Sequence, residues 1–127
     1  MFNQIEIMRM AHGMAAHAAI RHSAVAQNIS NADTPGYRAV DIAPFADVWQ
    51  GAGVAPRASR PGHLLSAQST LQPEPRLARH GGVHEPNGNT VSLEQQMVKS
   101  AEIRHQHDMA LSIYRSASSV LRKSLGR

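Results

Sequence analysis

No cysteine occurs in these 127 residues, which excludes disulfides and thiolate-held metals. Large aromatic side chains are scarce, at two Phe, two Tyr and one Trp, and alanine rather than leucine supplies much of the 42% hydrophobic fraction. A self-sufficient core of large side chains is therefore not expected; small residues favour helices that pack closely and share burial with neighbours. No stretch approaches the ~20 apolar residues of a membrane span, and direct membrane insertion is not expected. Glu6, Arg9, His12 and His17 interrupt the N-terminal segment, so it does not read as a cleavable Sec-type signal peptide. The net charge of +4 comes from eleven arginines and two lysines with no run of like charge longer than a pair. Without an aromatic-interleaved basic patch, a helix-turn-helix pattern or a basic tail, nucleic acid is not an expected partner.

The groups that enzymes use are equally thin. There is no Gly-x-Ser-x-Gly elbow and no Gly-rich phosphate loop, and the nine acidic residues are scattered singly, which gives no defended carboxylate pair. Eight histidines invite a metal reading, but ligands sharing a helix face need spacings of three or four. His12, His17 and His22 step by five, His105 and His107 by two, and His80 and His84 flank a Gly-Gly pair without helical support. The sequence reads as non-enzymatic, with no cofactor and no metal. An amphipathic membrane-surface helix is disfavoured because the N-terminal arm lacks a lysine-rich face and aromatic anchors.

Proline and glycine are unevenly placed, and that distribution organises the chain. Residues before Asn31 contain no proline and one glycine, Gly13; Ala32–Val91 holds all seven prolines and seven of the nine glycines; Ser92–Leu125 has neither. Proline costs a helix interior ~3 kcal/mol and glycine ~1, so two helical arms flanking a broken centre are predicted. The fold class expected is mainly α, with the N- and C-terminal helices paired as an antiparallel coiled-coil-like hairpin and an irregular or weakly β middle. One structural unit is expected, divided as 1–31, 32–91 and 92–127. On the first arm Met8, Ala11, Ala15, Ala18, Val25 and Ile29 alternate by three and four, with His22 in the missing slot. On the second, Leu93, Met97 and Ala101 lead into a polar interval from Arg104 to His107. Ala110, Ile113, Ala117 and Val120 then resume the stripe, flanked by Tyr114 and Leu121. That interval is either a slip in the seam or a face turned toward another subunit. Ser92 with Gln95 three residues on has the spacing of a capping box for this arm. In the centre, Phe45, Val48 and Trp49 suggest one short apolar turn, and Gly51 to Gly62 reads as exposed loop.

The arm-to-centre boundary reads Asn28-Ile29-Ser30-Asn31-Ala32-Asp33-Thr34-Pro35-Gly36-Tyr37-Arg38. Pro35 and Gly36 suit the two central positions of a type II turn, where glycine supplies positive φ. Tyr37 offers a ring to fold back on the helix end and a hydroxyl that needs a partner.

This string resembles the N-terminal signature of the bacterial flagellar axial proteins, the rod and hook subunits, in which Asn-(Ile/Leu)-Ala-Asn precedes Thr-Pro-Gly-Tyr-(Lys/Arg). Asn28, Ile29, Asn31, Ala32, Thr34, Pro35, Gly36 and Tyr37 carry the match. Ser30 replaces the usual alanine, and Val40 stands where a basic residue is more usual. The continuation Arg38–Ile42, the short His63-Leu64-Leu65 element and Gly88-Asn89-Thr90-Val91 before the second arm are similar to the proximal-rod members. The resemblance implies a structural rod subunit whose terminal helices polymerise into a hollow shaft. It further implies export by the flagellar type III apparatus without a cleavable signal. Implied neighbours are further copies of the chain, other rod proteins, the basal-body adaptor FliE and the MS ring, the rod lying in the periplasmic space. The competing expectation is a helical-hairpin interaction module of some other assembly.

Overall fold

The structure, a computed structural model, describes residues 2–51, 76–77 and 86–126. Helix α1 runs Phe2–Ser30 and α3 Leu93–Ser124, with a short α2 at Phe45–Gly51 and two-residue strands β1 (Val40–Asp41) and β2 (Arg76–Leu77) between them. At 1.5 Å per residue the long helices measure ~43 and ~48 Å. They lie antiparallel along most of their length: Asn28 of α1 meets Gln96 of α3, and Arg21 meets Gln106. Near the other end Met8 and His12 share a groove with Tyr114.

The inward positions obey a heptad. Ala11, Ala18 and Val25 step by seven on α1 and are buried, as are Gln96, Ile103 and Ala110 on α3. Such spacing keeps one face of each helix on its partner. What fills the seam is small or polar: Ala18, Val25 and Ile103 form its apolar centre, while His17, Asn28, Asn89 and Gln96 are buried polar groups. The interval Arg104–His107 does not break the packing, because Gln106 turns inward and accepts a hydrogen bond from Arg21 Nη1 at 3.2 Å.

Both helix ends follow from local chemistry. The Ser92 hydroxyl accepts the Gln95 N–H at 3.5 Å, with Ser92 in extended geometry, and Glu94 adds a favourable charge in the first turn. Gln95 thus takes part through its backbone. At the far end the Leu125 N–H bonds back to Leu121, and Gly126 takes a φ of 74°. The apolar turn expected at Phe45–Trp49 is α2, whose Phe45 ring meets the His17 ring edge-on at 5.5 Å. Gly51, expected to open the loop, closes α2 instead. The weakly β reading of the centre corresponds to one short antiparallel ladder, Val40 opposite Leu77 and Asp41 opposite Arg76. The remaining central readings, including His63–Leu65 and the pair His80 and His84, lie outside the described residues.

Candidate functional site

The boundary string folds as consecutive tight turns. Ser30 Oγ, Asn31 Nδ2 and Asn31 N–H all donate to the Gln27 carbonyl, which ends α1 by saturating its last turn. Thr34 N–H then bonds Asn31 O, and Tyr37 N–H bonds Thr34 O at 3.2 Å across Pro35-Gly36. Gly36 has a φ of +72°, as the second central residue of a type II turn requires. Nothing lies within 4 Å of where a Cβ on Gly36 would sit, so substitution there meets backbone strain rather than a collision. Gly36→Val is expected to destabilise by ~1–2 kcal/mol, the left-handed penalty for a branched side chain. Gly36→Asn, which tolerates that region, is expected to lose less. Soft-agar swarming with blots of the exported subunit should rank the defects Gly36→Val, then Tyr37→Ala, then Thr34→Ala. Equal, near-silent effects would reduce the turn to an exposed loop.

This loop is bolted to the segment preceding α3. Asn89 has no exposed surface, and its Nδ2 group reaches the carbonyls of Asn31 (3.0 Å), Ala32 (2.6 Å) and Thr34 (3.0 Å), two N–H bonds serving three acceptors. Its Oδ1 accepts the Val91 N–H at 2.8 Å. Around it, Gly36 N–H donates to Asn87 O, Thr90 N–H to Tyr37 O, and Ala39 N–H to Thr90 Oγ1. Two segments more than fifty residues apart in sequence thereby become one rigid corner.

A second asparagine closes the corner from the α1 side. Asn28, 1% exposed, faces the backbone of Val40 as a strand neighbour would: its Oδ1 accepts Val40 N–H (2.9 Å) and its Nδ2 donates to Val40 O (2.7 Å). The same Oδ1 accepts the Tyr37 hydroxyl at 3.3 Å, and Nδ2 also donates to Gln96 Oε1 at 3.2 Å. One side chain therefore joins α1, the signature loop, β1 and α3. Ala39 and Ile42, which flank that contact, are buried.

At the end of β1 and just beyond it, Lys99 Nζ pairs with Asp41 Oδ2 at 2.7 Å and the His17 Nε2–H donates to Ala43 O at 2.9 Å. Burial lowers the His17 pKa; the Ala43 bond opposes that effect and the Arg21 charge adds to it. For Asp41 burial pushes upward, but the Lys99 hydrogen bond, the Ile42 N–H and the Lys99 and Arg21 charges outweigh it, holding the carboxyl below its ordinary value. Both shifts make the unfolded chain the stronger proton binder, so stability rises with pH. The His17 contribution is complete above its ordinary 6.5 and declines as pH falls below it. The Asp41 contribution is lost lower, as pH falls from its ordinary 3.8 through the depressed folded value. Thermal melts of the subunit between pH 8 and 3 should therefore show two successive losses. His17→Gln, which keeps a donor to Ala43, should remove the upper loss; an unchanged profile would rule out His17 as its source.

Not every residue of the predicted seam turns inward. Ala11, Ala18, Val25 and Ala110 are buried and Met8, Ala15, Ile113, Ala117 and Leu121 half-buried, whereas Ile29 (38% exposed), Leu93 (48%), Met97 (63%), Ala101, Tyr114 (42%) and Val120 (49%) face outward. His22 is also exposed; the inward slot on that turn belongs to Arg21, which reaches Gln106. The sequence by itself assigns no inward packing role to Asn89, Gln96 or His17. Their packing depends on partners 26 to 68 positions away, which local periodicity does not encode. Among the described residues no group of three or more His, Asp or Glu side chains is placed to hold a metal, and no helix is long and apolar enough to cross a membrane.

Comparison with known proteins points one way. The profile of the family described as "Flagella basal body rod protein" matches residues 8–38, which span most of α1 and the whole signature loop. The chain is also similar to the "Flagellar basal body rod protein FlgB" of Agrobacterium fabrum, at 33% identity over 118 residues, covering 88% of this chain and 87% of that protein.

Proposed function

From the premise that this chain belongs to the flagellar basal body rod protein family, we propose how it does its work as a structural subunit of the bacterial flagellar rod. The α1–α3 hairpin is the polymerising element, and the corner held by Asn28 and Asn89 fixes the angle at which the central segment leaves it. Copies of the hairpin pack side by side into the wall of a hollow shaft that transmits rotation. The position is the proximal rod, in the periplasmic space, with other rod proteins, the adaptor FliE and the MS ring as neighbours. The subunit arrives through the flagellar type III apparatus, and it catalyses no reaction.

One observation carries this reading. Large apolar side chains remain outside the intramolecular seam along both helices, with Ile5 52%, Met97 63%, Val98 61% and Val120 49% exposed. About half or more of each of these residues stays uncovered in the single subunit, whereas burial against a neighbour is worth ~25 cal/mol per Å² of apolar surface. Met97→Glu combined with Val98→Glu tests it directly. Both side chains point to solvent in the single subunit, so its helicity and export should be unchanged, yet rods should fail to form and swarming should stop. Normal swarming of the double variant would show that this stretch of α3 contacts no neighbour.

A further inference from the structure

We propose that Asn87 is a site of spontaneous deamidation, and that its conversion to isoaspartate opens the latch between the two boundary segments. Of the asparagines at 3, 28, 31, 87 and 89, Asn87 alone precedes glycine. Gly88 presents a backbone nitrogen with no Cβ beside it to hinder attack. Both residues are exposed, so water reaches them. The Asn87 Oδ1 accepts the Asn89 N–H at 2.9 Å, which folds the side chain over the Asn87–Gly88 peptide and draws electron density from Cγ.

The chemistry balances without a cofactor. The Gly88 nitrogen loses its proton and bonds to Cγ of Asn87, while the side-chain amide nitrogen takes up one proton and leaves as ammonia. The resulting succinimide is opened by one water. Attack at Cγ restores the normal main chain and gives aspartate. Attack at the main-chain carbonyl leaves Gly88 attached through Cγ and gives isoaspartate. In the second product the backbone runs through an added methylene beside Asn89. The Asn87 carbonyl that accepts Gly36 N–H becomes a free carboxylate, and Gly88, packed against Gly36, is displaced. Asn28 and Asn89, by contrast, are buried with their amides fully engaged, and each is followed by a residue with a β-branched side chain, Ile29 and Thr90.

The consequence at the latch rests on the rod reading only for its biological meaning; the modification itself does not. Purified full-length subunit is aged at neutral pH, digested and analysed by mass spectrometry with fragmentation that distinguishes isoaspartate. Acid and isoaspartate are expected at position 87 before any other asparagine, with slower conversion in mildly acidic buffer. Asn87→Ser, which retains a hydroxyl acceptor but cannot cyclise, should show none. Absence of conversion at 87, or earlier conversion elsewhere, overturns the site. Within one aged sample, hydrogen exchange across residues 34–37 and 89–91 should be faster in converted than in unconverted molecules. This comparison remains valid if the serine variant folds poorly. Equal exchange overturns the opening of the latch while leaving the chemistry standing.

Discussion

Asn89→Ala is expected to abolish swarming and to loosen the signature loop. The substitution removes the donors serving three carbonyls and the acceptor of the Val91 N–H, in a site with no exposed surface. Each buried polar group left unmade costs ~1–3 kcal/mol. Even if water re-satisfies two of the four, the loss is ~2–6 kcal/mol, a large share of the ~5–15 kcal/mol that holds a small domain together. Asn89→Asp sharpens the test because its size is unchanged. It keeps the acceptor but aims a carboxylate at three carbonyl oxygens, so it should be no better than alanine. Thr90→Ala removes one bond to Ala39 N–H and should cost only ~1 kcal/mol. Denaturant melts of the free subunit, read beside swarming and export blots, supply the ranking. A melt of Asn89→Ala within ~0.5 kcal/mol of the parent, the range of an ordinary surface change, would show that the corner holds nothing.

How much of this was legible in the sequence depends on the range of each interaction. The helical arms, the turn at Pro35-Gly36 and the Ser92 hydroxyl as an N-cap acceptor depend on residues within a few positions of one another, and residue type plus spacing is enough to read them. The antiparallel pairing was legible at the level of two matched arms. Its register was not, because apolar periodicity alone assigns Ile29 and His22 to the seam, whereas Asn28 and Arg21 occupy it. The missing information is that a buried polar side chain is tolerated when a specific partner satisfies it, and those partners are Val40, Gln96 and Gln106. Asn89 was equally hidden. Asn-Gly-Asn-Thr announces a turn, but nothing local states that the second asparagine plugs into carbonyls of a loop fifty-odd residues earlier. The family resemblance found the two boundary strings separately; the structure shows they are two halves of one corner.

The polar pairs across the seam carry a further consequence, best exposed by removing them. Asn28→Leu alone orphans the Val40 N–H and C=O, the Tyr37 hydroxyl and Gln96, and should lose ~3 kcal/mol or more. Adding Gln96→Leu removes one orphan and puts two apolar side chains face to face. The double variant should therefore be more stable than the sum of the single changes by at least ~1 kcal/mol, the usual coupling of residues in contact. Its helices should remain paired, and swarming should nonetheless stay lost. A single polar residue in a heptad core fixes register at some expense of stability, because any slip leaves it unpartnered among apolar side chains. With leucine at both positions, and with alanine-rich turns on either side, neighbouring registers become nearly equivalent. The corner that Asn28 ties to β1 then no longer sits at one angle. Circular dichroism should report near-parental helix content, while crosslinking between cysteines placed at 21 and 106 should fall as registers mix. Restored swarming in the double variant would mean the pair is filler. Strict additivity of the two changes would mean Asn28 and Gln96 do not sense each other, and that register is set elsewhere along the seam.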